Sequence, residues 1–562
     1  MLFQRQFKKI KNMNKRYVIY FPLIIASSII AGIFIGNRLD FSPDKKRNAS
    51  IQGPNKLNTI ISIIQGAYVD SVSKSDLVEE AIPGLLKNLD PHTAYIPAKN
   101  LQNVNEELAG DFGGIGVQFS IYKDTVQIID VISGGPSSKL GVLPGDRIVS
   151  VNDSVIAGNG VENEDVLHIL RGKKGTKVKI GIKRKGIMDI IPFEITRGTI
   201  PLLSVDVGYP IDKETGYIRI SRFSAKTYEE FMKKMTTLDS LGINNVILDL
   251  RGNPGGFLEV VLKIAGEFLN KGDVLLSTKG RVQKQKSYLN PKDGKWLDKG
   301  VYILIDEYSA SASEILSGAI QDNDRGVVIG RRSFGKGLVQ EQIPFSDGSA
   351  LRLTVARYYT PSGRCIQKPY KNGMEQYSQD ILNRLQHGEL EQADSIHFAD
   401  SLRYETKKGR TVYGGGGIMP DIFVPMDTTE YSKYYSKIVG KGLTYSYTLE
   451  FCDKNRKELE NLKTANDFIK YLTTKNILHK FTDYASSQGI KKDKKGLSIS
   501  GHLIKTQVMA YITRNMIGDE GFYSVIQEID KTLQKAIEIS KSEDSLEEIL
   551  GENIPAEPAD NK

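Results

Sequence analysis

The stretch VYILIDEYSASASEILSGAIQD, from Val301 to Asp322, decides the fold around which the rest of the chain is interpreted. Its first five residues form an apolar run, so VYILIDE predicts a β-strand, and SASEILSGAIQD predicts a helix. Small residues occupy the junction, so a serine there would be exposed beside the N–H groups of the helix start, which can stabilise an oxyanion. Serine and alanine at a helix start also serve as plain N-caps, and this stretch alone leaves both interpretations open.

The stretch GRRSFGKG, from Gly330 to Gly337, has the glycine and lysine spacing of a phosphate-binding P-loop but lacks its final Ser or Thr. A P-loop opens a helix, whereas the LVQEQIPF that follows alternates like a strand. The pattern therefore argues against a nucleotide site. Lys336 is then either a solvent-facing lysine in a glycine turn or a general base.

A lysine can act as a general base only when it is neutral, and burial can lower a lysine pKa by ~3–5 units. Ser-Lys pairs are a known form of serine catalysis. Gly335 and Gly337 would let backbone pack closely around Lys336, and Gln340 could orient its amine through a hydrogen bond. No histidine lies in this region, which argues against a Ser-His-Asp triad, although a distant histidine stays open.

Two further glycine-rich stretches lie next to predicted strands, one after a strand and one before. DLRGNPGG, from Asp249 to Gly256, would bring backbone N–H groups close to a substrate, and an ordinary strand–helix connection is the alternative. GGIGVQFSI, from Gly113 to Ile121, joins a glycine turn to an alternating strand. Such a strand edge can capture a peptide C-terminal carboxylate and add the peptide as an extra strand.

The N-terminus predicts membrane attachment. Residues 1–16 carry six positive charges and no acidic residue, and residues 17–36 form an uncharged apolar run of about 20 residues. At ~1.5 Å per residue such a helix spans the ~30 Å bilayer core, with its basic end in the cytoplasm. We expect a single-pass signal anchor in the cytoplasmic (inner) membrane, with the rest of the chain on the periplasmic or extracellular side. A cleaved signal peptide is the alternative.

Composition narrows the class of protein. The formal charge of +9 comes largely from the basic N-terminus, so it does not indicate nucleic acid binding. The two cysteines and six histidines show no metal-binding spacing, and nothing in the sequence calls for a cofactor.

The chain of 562 residues divides into several predicted regions. A helical region covers 54–110, a compact β-rich domain covers 111–195, and strands mix with helices over 196–430. Within the last region, residues 366–412 are polar and predict an insertion or flexible excursion. Residues 431–562 predict a helical region ending in a solvated acidic tail. The fold class is therefore mixed α/β, with a β-rich domain packed on an α/β core between N- and C-terminal helical regions.

Taken together, these motifs resemble the C-terminal processing peptidases, also called tail-specific proteases. The resemblance rests on four motifs in family order over most of residues 54–425: G-G-I-G-V with G-x-L-x-G-D-x-I, L-D-L-R-G-N-P-G-G, S-A-S-A-S-E, and F-G-K-G-x-V-Q. It implies a PDZ domain joined to a serine protease core.

The resemblance also implies roles for individual residues. The nucleophile would be Ser311, with Ser309 and Ser313 as the neighbours most easily mistaken for it. Lys336 would be the base and Gln340 its orienting partner. The N–H of Ala312 and that of Gly255 or Gly256 would form the oxyanion hole. Peptide tails would bind at the PDZ turn, whose residues are Gly113, Gly114, Ile115, Gly116 and Val117. Arg171, after the PDZ helix, would couple the PDZ domain to the active site.

The resemblance thus predicts a membrane-anchored serine endopeptidase that binds apolar, unstructured C-terminal tails of proteins and needs no cofactor or metal. A homo-oligomer or an adaptor protein is a further possible partner. An inactive PDZ scaffold and a non-proteolytic Ser-Lys hydrolase are the alternatives. The family usually runs quickly from T-P-x-G-R-x-I-Q into G-I-x-P-D, whereas here TPSGRCIQ (Thr360–Gln367) and GGIMPD (Gly416–Asp421) are separated by about 48 residues, so the end of the core carries an insertion.

Overall fold

A computed structural model gives the fold and describes residues 20–38, 56–122, 124–132, 134–371, 373–542 and 546–551. The chain divides into two compact units, Met1–Ala81 and Ile82–Lys562. The first unit contains helices α1 (Phe21–Arg38) and α2 (Lys56–Ala67) and the start of α3 (Lys74–Leu86).

The predicted membrane span, residues 17–36, coincides in part with α1. Residues 17–19 lie outside the described residues. Within the described ranges, no helix is both long enough and apolar enough to cross a membrane.

The second unit begins with a short strand and a helix, and then forms the PDZ domain. The strands and helices up to the end of this domain are β1 (Ala94–Ile96), α4 (Ala98–Ala109), β2 (Asp111–Gly114), β3 (Val117–Ile121), β4 (Val126–Val131), α5 (Pro136–Lys139), β5 (Arg147–Val151), β6 (Ser154–Val155), α6 (Asn163–Leu170), β7 (Lys177–Lys183), β8 (Ile191–Thr196) and β9 (Gly198–Pro201).

The PDZ sheet has the order β3-β4-β5-β7-β8, with β6 paired to β5. All its pairings are antiparallel, and its inner face buries Ile128, Ile148 and Ile182 against Val166 of α6. Strand β3 is at the edge of this sheet, next to the glycine turn. A separate ribbon of β2 and β9 connects the domain at both ends to the α/β core.

After the PDZ domain the chain forms an α/β core built on a largely parallel six-stranded sheet and a second, antiparallel sheet. Its strands and helices are β10 (Val205–Pro210), β11 (Thr215–Ile220), α7 (Thr227–Ser240), β12 (Asn245–Asp249), α8 (Leu258–Gly266), β13 (Val274–Gly280), β14 (Lys286–Leu289), β15 (Gly300–Ile305), α9 (Ala312–Asp322), β16 (Val327–Gly330), β17 (Leu338–Pro344) and β18 (Ala350–Tyr359).

The six-stranded sheet has the order β10-β11-β12-β15-β16-β21, where β21 is Ile422–Phe423. Its strands read as continuous apolar runs because both faces are buried. Leu248 and Ile303 face a core formed with α7, α8 and α9, whereas Ile247 and Leu304 face a core closed by C-terminal helices. The carboxyl ends of β12, β15 and β16 therefore lie side by side.

The segment 366–412 is ordered structure packed on the core, so the prediction of a flexible excursion is wrong. It contains α10 (Met374–Ser378), α11 (Asp380–Gln386), β19 (Arg403–Glu405) and most of β20 (Thr411–Tyr413). Tyr377 and Leu390 are buried, and so is the charged Arg384. The polar composition concealed this packing because much of the contact is made by hydrogen bonds and ion pairs.

The C-terminal region is helical as predicted from its sequence. Its helices are α12 (Lys433–Gly440), α13 (Leu443–Leu459), α14 (Ala465–Thr474), α15 (Ile477–Ser487), α16 (Lys494–Ile526, with a kink at Ile517 and Gly518), α17 (Lys531–Ser540) and α18 (Leu546–Gly551).

Two parts of this region touch the rest of the second unit. Helices α17 and α18 cover the second face of the core sheet, where Ile549 and Leu550 are buried. The acidic tail is therefore not entirely solvated, since Ile549 and Leu550 of α18 pack on the core. Helix α13 meets the PDZ domain, where Asp453 accepts from Arg147 (3.2 Å) and the backbone carbonyl of Asp453 accepts from Lys185 (2.9 Å).

Candidate active site

Ser311 lies in the turn between β15 and α9, where it is the N-cap of α9. Its φ of 55° and ψ of −111° are rare for a residue with a side chain, and such strain typically persists only where the surrounding structure imposes it. Of the three serines in SASAS, Ser309 and Ser313 are fully buried and Ser311 is not. Ser309 donates to Leu250 O (2.8 Å) and Ser313 donates to Asn253 O (3.0 Å), so both have structural roles.

The glycine turn after β12 imposes this geometry on Ser311. Gly255 has a φ of 106°, and a Cβ there would lie 2.8 Å from Ser311 Cβ and 2.9 Å from Ala312 N. Gly256 has a φ of 149°, and its Cβ would lie 2.0 Å from Phe223 O. No side chain fits at either position, so the backbone of Gly255 lies directly against Ser311 and that of Gly256 against Phe223.

Hydrogen bonding distinguishes Gly255 from Gly256, the two glycines predicted as alternative oxyanion donors. Gly255 N–H donates to Asn253 Oδ1 (2.8 Å), so it is already occupied and the prediction of Gly255 as a donor is corrected. In the described part of the chain, the N–H groups of Gly256 and Ala312 form no hydrogen bond. Ala312 is the first residue of α9, where N–H groups have no partner inside the helix.

Lys336 lies between β16 and β17. The chain after it is the strand Leu338–Pro344, as predicted, and not the helix that a P-loop requires. Gly335 has a φ of 90°, and a Cβ there would lie 3.1 Å from Lys368 Cβ. A Cβ at Gly337 would lie 2.9 Å from Gln367 N, so the glycines do allow backbone to pack tightly beside Lys336.

One buried carboxylate joins the serine turn to the lysine turn. Glu314 Oε2 accepts from Ser311 N (2.8 Å) and Lys336 N (2.8 Å). Its Oε1 accepts from Ser333 Oγ (2.5 Å) and Gly335 N (2.6 Å). Burial raises the pKa of Glu314, and these four donors oppose the rise. The carboxylate therefore ties the two turns to each other through their backbones.

Tyr358 of β18 adds a second connection between the two turns. Its hydroxyl donates to Lys336 O (2.6 Å) and lies 3.1 Å from Ser311 O. The side chain is almost completely buried. The amide side and the carbonyl side of the lysine turn are thus both linked to Ser311.

The side chain of Lys336 points to Gln340. Lys336 Nζ donates to Gln340 Oε1 (3.0 Å), and Gln340 Nε2 donates to His92 O. Among the described residues, Lys336 and Ser311 share no side-chain hydrogen bond. Burial, and then the positive charge of Arg352, lower the pKa of Lys336. The surroundings therefore favour the neutral amine.

The sequence D-P-H-T, residues 90–93, is part of the site and was not singled out from the sequence. Asp90 accepts from Thr93 Oγ1 (2.5 Å) and Thr354 Oγ1 (2.9 Å), which fixes the turn on β18. Burial, and then the charge of Lys336, lower the pKa of His92 to about 4. The sequence showed residues 90–93 only as an Asx-type turn at the end of a helical region. The turn lies beside Gln340 because β1, which follows it, pairs with β18.

The turn after β12 is anchored from the C-terminal region. Arg251 donates to Asp249 (Nε to Oδ1, 2.9 Å) and to both carboxylate oxygens of Asp530, at 2.8 Å and 2.6 Å. Burial alone would raise the pKa of Asp249, but the charges of Arg251 and Arg219 hold it well below its ordinary value. Asp530 is the N-cap of α17, so that helix helps to hold the turn beside Ser311.

The predicted peptide-binding turn of the PDZ domain is held closely by backbone contacts. A Cβ at Gly113 would lie 2.1 Å from Gly172 O, and Gly116 has a φ of 79°. Ile115 is buried and its carbonyl accepts from Ser137 N (3.0 Å). Gly114 ends β2 and Val117 begins the edge strand β3.

Arg171 follows α6 and stacks its guanidinium 4.2 Å above the ring of Phe112 in β2. Its Nε is buried and has no hydrogen-bond partner among the described residues. It therefore lies where the PDZ domain meets the ribbon leading to the core.

Several family profiles match the chain. Peptidase family S41 matches residues 214–376, and a PDZ domain profile matches residues 113–191. The N-terminal domain of the activating protease CtpB matches residues 37–100, and a family of unknown function matches residues 434–518.

Similar proteins carry related names. A carboxy-terminal-processing protease of Bartonella bacilliformis is 34% identical over 348 residues, which are 60% of this chain and 79% of that protein. Carboxy-terminal processing protease CtpB of Bacillus subtilis is 34% identical over 376 residues, which are 63% of this chain and 76% of that protein. A solved structure, the photosystem II D1 C-terminal processing protease, is 26% identical with a TM-score of 0.31, and the match covers 56% of this chain and 91% of that one.

Replacing Gly255 with alanine should destabilise the serine turn. Gly272 is the matched control, because its φ is also positive (89°) but a Cβ there would meet nothing within 4 Å. Gly272→Ala should cost only the backbone strain, about 1–3 kcal/mol. Gly255→Ala should lower the free energy of unfolding further, measured by denaturant titration of the fluorescence of Trp296, the single tryptophan, which is buried in the core. Equal costs for the two variants would contradict the close approach.

Proposed function

Since the chain belongs to the carboxy-terminal processing serine proteases of peptidase family S41, we propose that Ser311 is its nucleophile and neutral Lys336 its general base. The observation that carries the proposal is the carboxylate of Glu314, which joins the Ser311 turn to the turn of a buried lysine with a lowered pKa.

The proposed reaction begins when Ser311 Oγ attacks the scissile carbonyl carbon and Lys336 Nζ takes the hydroxyl proton. The N–H groups of Gly256 and Ala312 stabilise the oxyanion. The C–N bond then breaks, and the leaving amine takes the proton from the Lys336 ammonium. This gives an acyl-enzyme and a neutral base again.

In the second half of the reaction Lys336 removes a proton from water, which attacks the ester. The proton returns to Ser311 Oγ as the ester bond breaks and the new carboxyl terminus leaves. Gln340 keeps the amine oriented throughout by accepting from Nζ. A hydrogen bond from Ser311 to Lys336 would form with substrate bound, since such bonds are often absent without substrate.

The PDZ domain supplies substrate recognition in this proposal. The free edge of β3 would pair with an extended tail, and the turn from Gly113 to Val117 would receive its C-terminal carboxylate. An unstructured tail is required because only an extended chain can add as a strand. An apolar tail matches the partly buried side chains of Val117 and Phe119 on that strand.

The proposal is tested by cleavage of an unfolded protein with a free apolar tail. Ser311→Ala and Lys336→Ala should each lower kcat by about 10⁴-fold or more, since residues of one catalytic unit are individually essential. Both variants should still bind a tail peptide. Ser498→Ala, at an exposed position of α16, is the control. Cleavage by either site variant at the wild-type rate would reject the mechanism, and equal cleavage of an amidated tail would reject PDZ recognition.

In the same assay Arg171→Ala should weaken the stimulation of cleavage by added tail peptide.

The lowered pKa of Lys336 predicts the pH dependence of cleavage. The base works when neutral, so kcat/KM should rise with pH through the pKa of Lys336. Arg352→Met removes a positive charge that disfavours the ammonium form, so the pKa should rise and the ascending limb should move to higher pH. Arg357→Met, on the same strand but exposed, should leave the limb in place. An unchanged limb in Arg352→Met, or a shift to lower pH, would contradict the assignment of the base.

Membrane anchoring through residues 17–36, with the catalytic part outside the cytoplasm, is a further part of the proposal and is supported by the charge and apolar pattern of the N-terminus alone. The full chain should sediment with membranes and be digested by protease added to the outside of spheroplasts. A chain starting at residue 37 should be found in the soluble fraction. Equal distribution of both chains would reject the anchor.

A further inference from the structure

We propose that the segment 366–412 is a positioning element for the general base, in which Arg384 holds the carbonyl groups of the lysine turn and Tyr377 holds the residue that orients Gln340. The inference rests on the proposed role of Lys336. It assigns a function to the part of the core that departs from the family pattern.

Arg384 binds the backbone of the lysine turn directly. Its Nη1 donates to Ser333 O (2.8 Å), and its Nη2 lies 3.3 Å from Phe334 O. The side chain is only 2% exposed, and its Nε lies 3.0 Å from Asp380 Oδ2. Burial lowers the pKa of Arg384 to about 10, so the guanidinium is cationic at neutral pH.

This arginine complements the carboxylate on the opposite side of the same turn. Glu314 accepts from the N–H groups of Gly335 and Lys336, and Arg384 donates to the carbonyl groups of Ser333 and Phe334. Peptide dipoles in the turn therefore lie between an anion and a cation. Removing the cation would leave carbonyl groups buried without a donor, which costs free energy and permits the turn to rotate.

Tyr377 reaches the base by a second route. Its hydroxyl lies 2.7 Å from His92 Nε2, and the carbonyl of His92 accepts from Gln340 Nε2. A carbonyl can only accept, so it binds the nitrogen end of the Gln340 amide and leaves Oε1 facing Lys336. Tyr377 thereby helps to decide which end of the amide meets the base.

Aromatic and ionic contacts hold these parts of the segment in place. Lys368 Nζ lies 3.9 Å from the ring centre of Phe334 and 4.3 Å from that of Tyr377. The same amine lies 2.9 Å from Asp380 Oδ2, which also pairs with Arg384. Phe334, two residues before the base, is therefore packed against the segment. A segment that only covered the core would not need the buried charges of Arg384 and Lys368 in contact with the lysine turn.

The test compares Arg384→Met with Arg403→Met, an exposed arginine of the same segment, in the full chain. Arg384→Met should lower kcat by about 10²-fold, the typical cost of displacing a catalytic group by about 1 Å. KM for a tail substrate and the Kd of a tail peptide should stay at wild-type values, because Arg384 binds the lysine turn and Asp380 and not a residue of the PDZ domain. Arg384→Lys, which can serve one carbonyl, should recover part of kcat. Arg403→Met should match wild type.

Tyr377→Phe is the second variant and keeps the fold because it removes only a hydroxyl. It should lower kcat by about fivefold, the effect of one hydrogen bond, with KM unchanged. Unfolding followed by Trp296 fluorescence separates misfolding from mispositioning. Wild-type kcat in both Arg384→Met and Tyr377→Phe, or equal losses in kcat and in peptide affinity, would overturn the inference. If Ser311→Ala or Lys336→Ala cleaved normally, the proposed mechanism would fail instead, and the two failures are therefore distinguishable.

Discussion

The buried carboxylate of Glu314 is the contact on which the site depends. A charge of this kind is costly to bury unless hydrogen bonds replace its hydration. Four donors do so here, and three of them are backbone N–H groups of the serine and lysine turns. Because backbone groups are held, the relative position of Ser311 and Lys336 does not depend on the rotamer of either side chain. Side chains can then exchange partners during a reaction while the frame stays in place.

That frame is possible because three strand ends lie side by side. Parallel pairing of β12, β15 and β16 places the glycine turn, the serine turn and the start of the lysine turn at one edge of the sheet. Binding sites in open α/β sheets generally occupy this edge. Gly255 then brings backbone close to Ser311, and Gly256 does the same beside Phe223, so a side chain at either position would push these segments apart.

Residues beyond the end of the S41 match at residue 376, among them Arg384 and Asp530, support the same turns. Asp530, at the start of α17, binds Arg251 beside the glycine turn, and α13 of the same region contacts the PDZ domain through Asp453. The segment 366–412 holds the lysine turn from its carbonyl side through Arg384. The peptide-binding domain and both halves of the site are therefore connected to structures that lie later in the chain than the catalytic motifs.

The sequence by itself determined the local elements and, through the family resemblance, the candidate catalytic residues. Apolar runs predicted β12, β15 and β16, the alternation in LVQEQIPF excluded a P-loop, and motif order indicated Ser311, Lys336 and Gln340. Local patterns suffice there because strand and helix periodicity act within a few residues. Only the tertiary structure decided which residues that are far apart in sequence come into contact. It placed His92 beside Gln340, gave the Gly255 N–H to Asn253, and folded the polar 366–412 segment and part of the acidic tail onto the core. Polar sequence suggests solvent exposure, but Arg384 and Glu314 are buried because each meets backbone groups of opposite polarity, and no local pattern reveals such a partner.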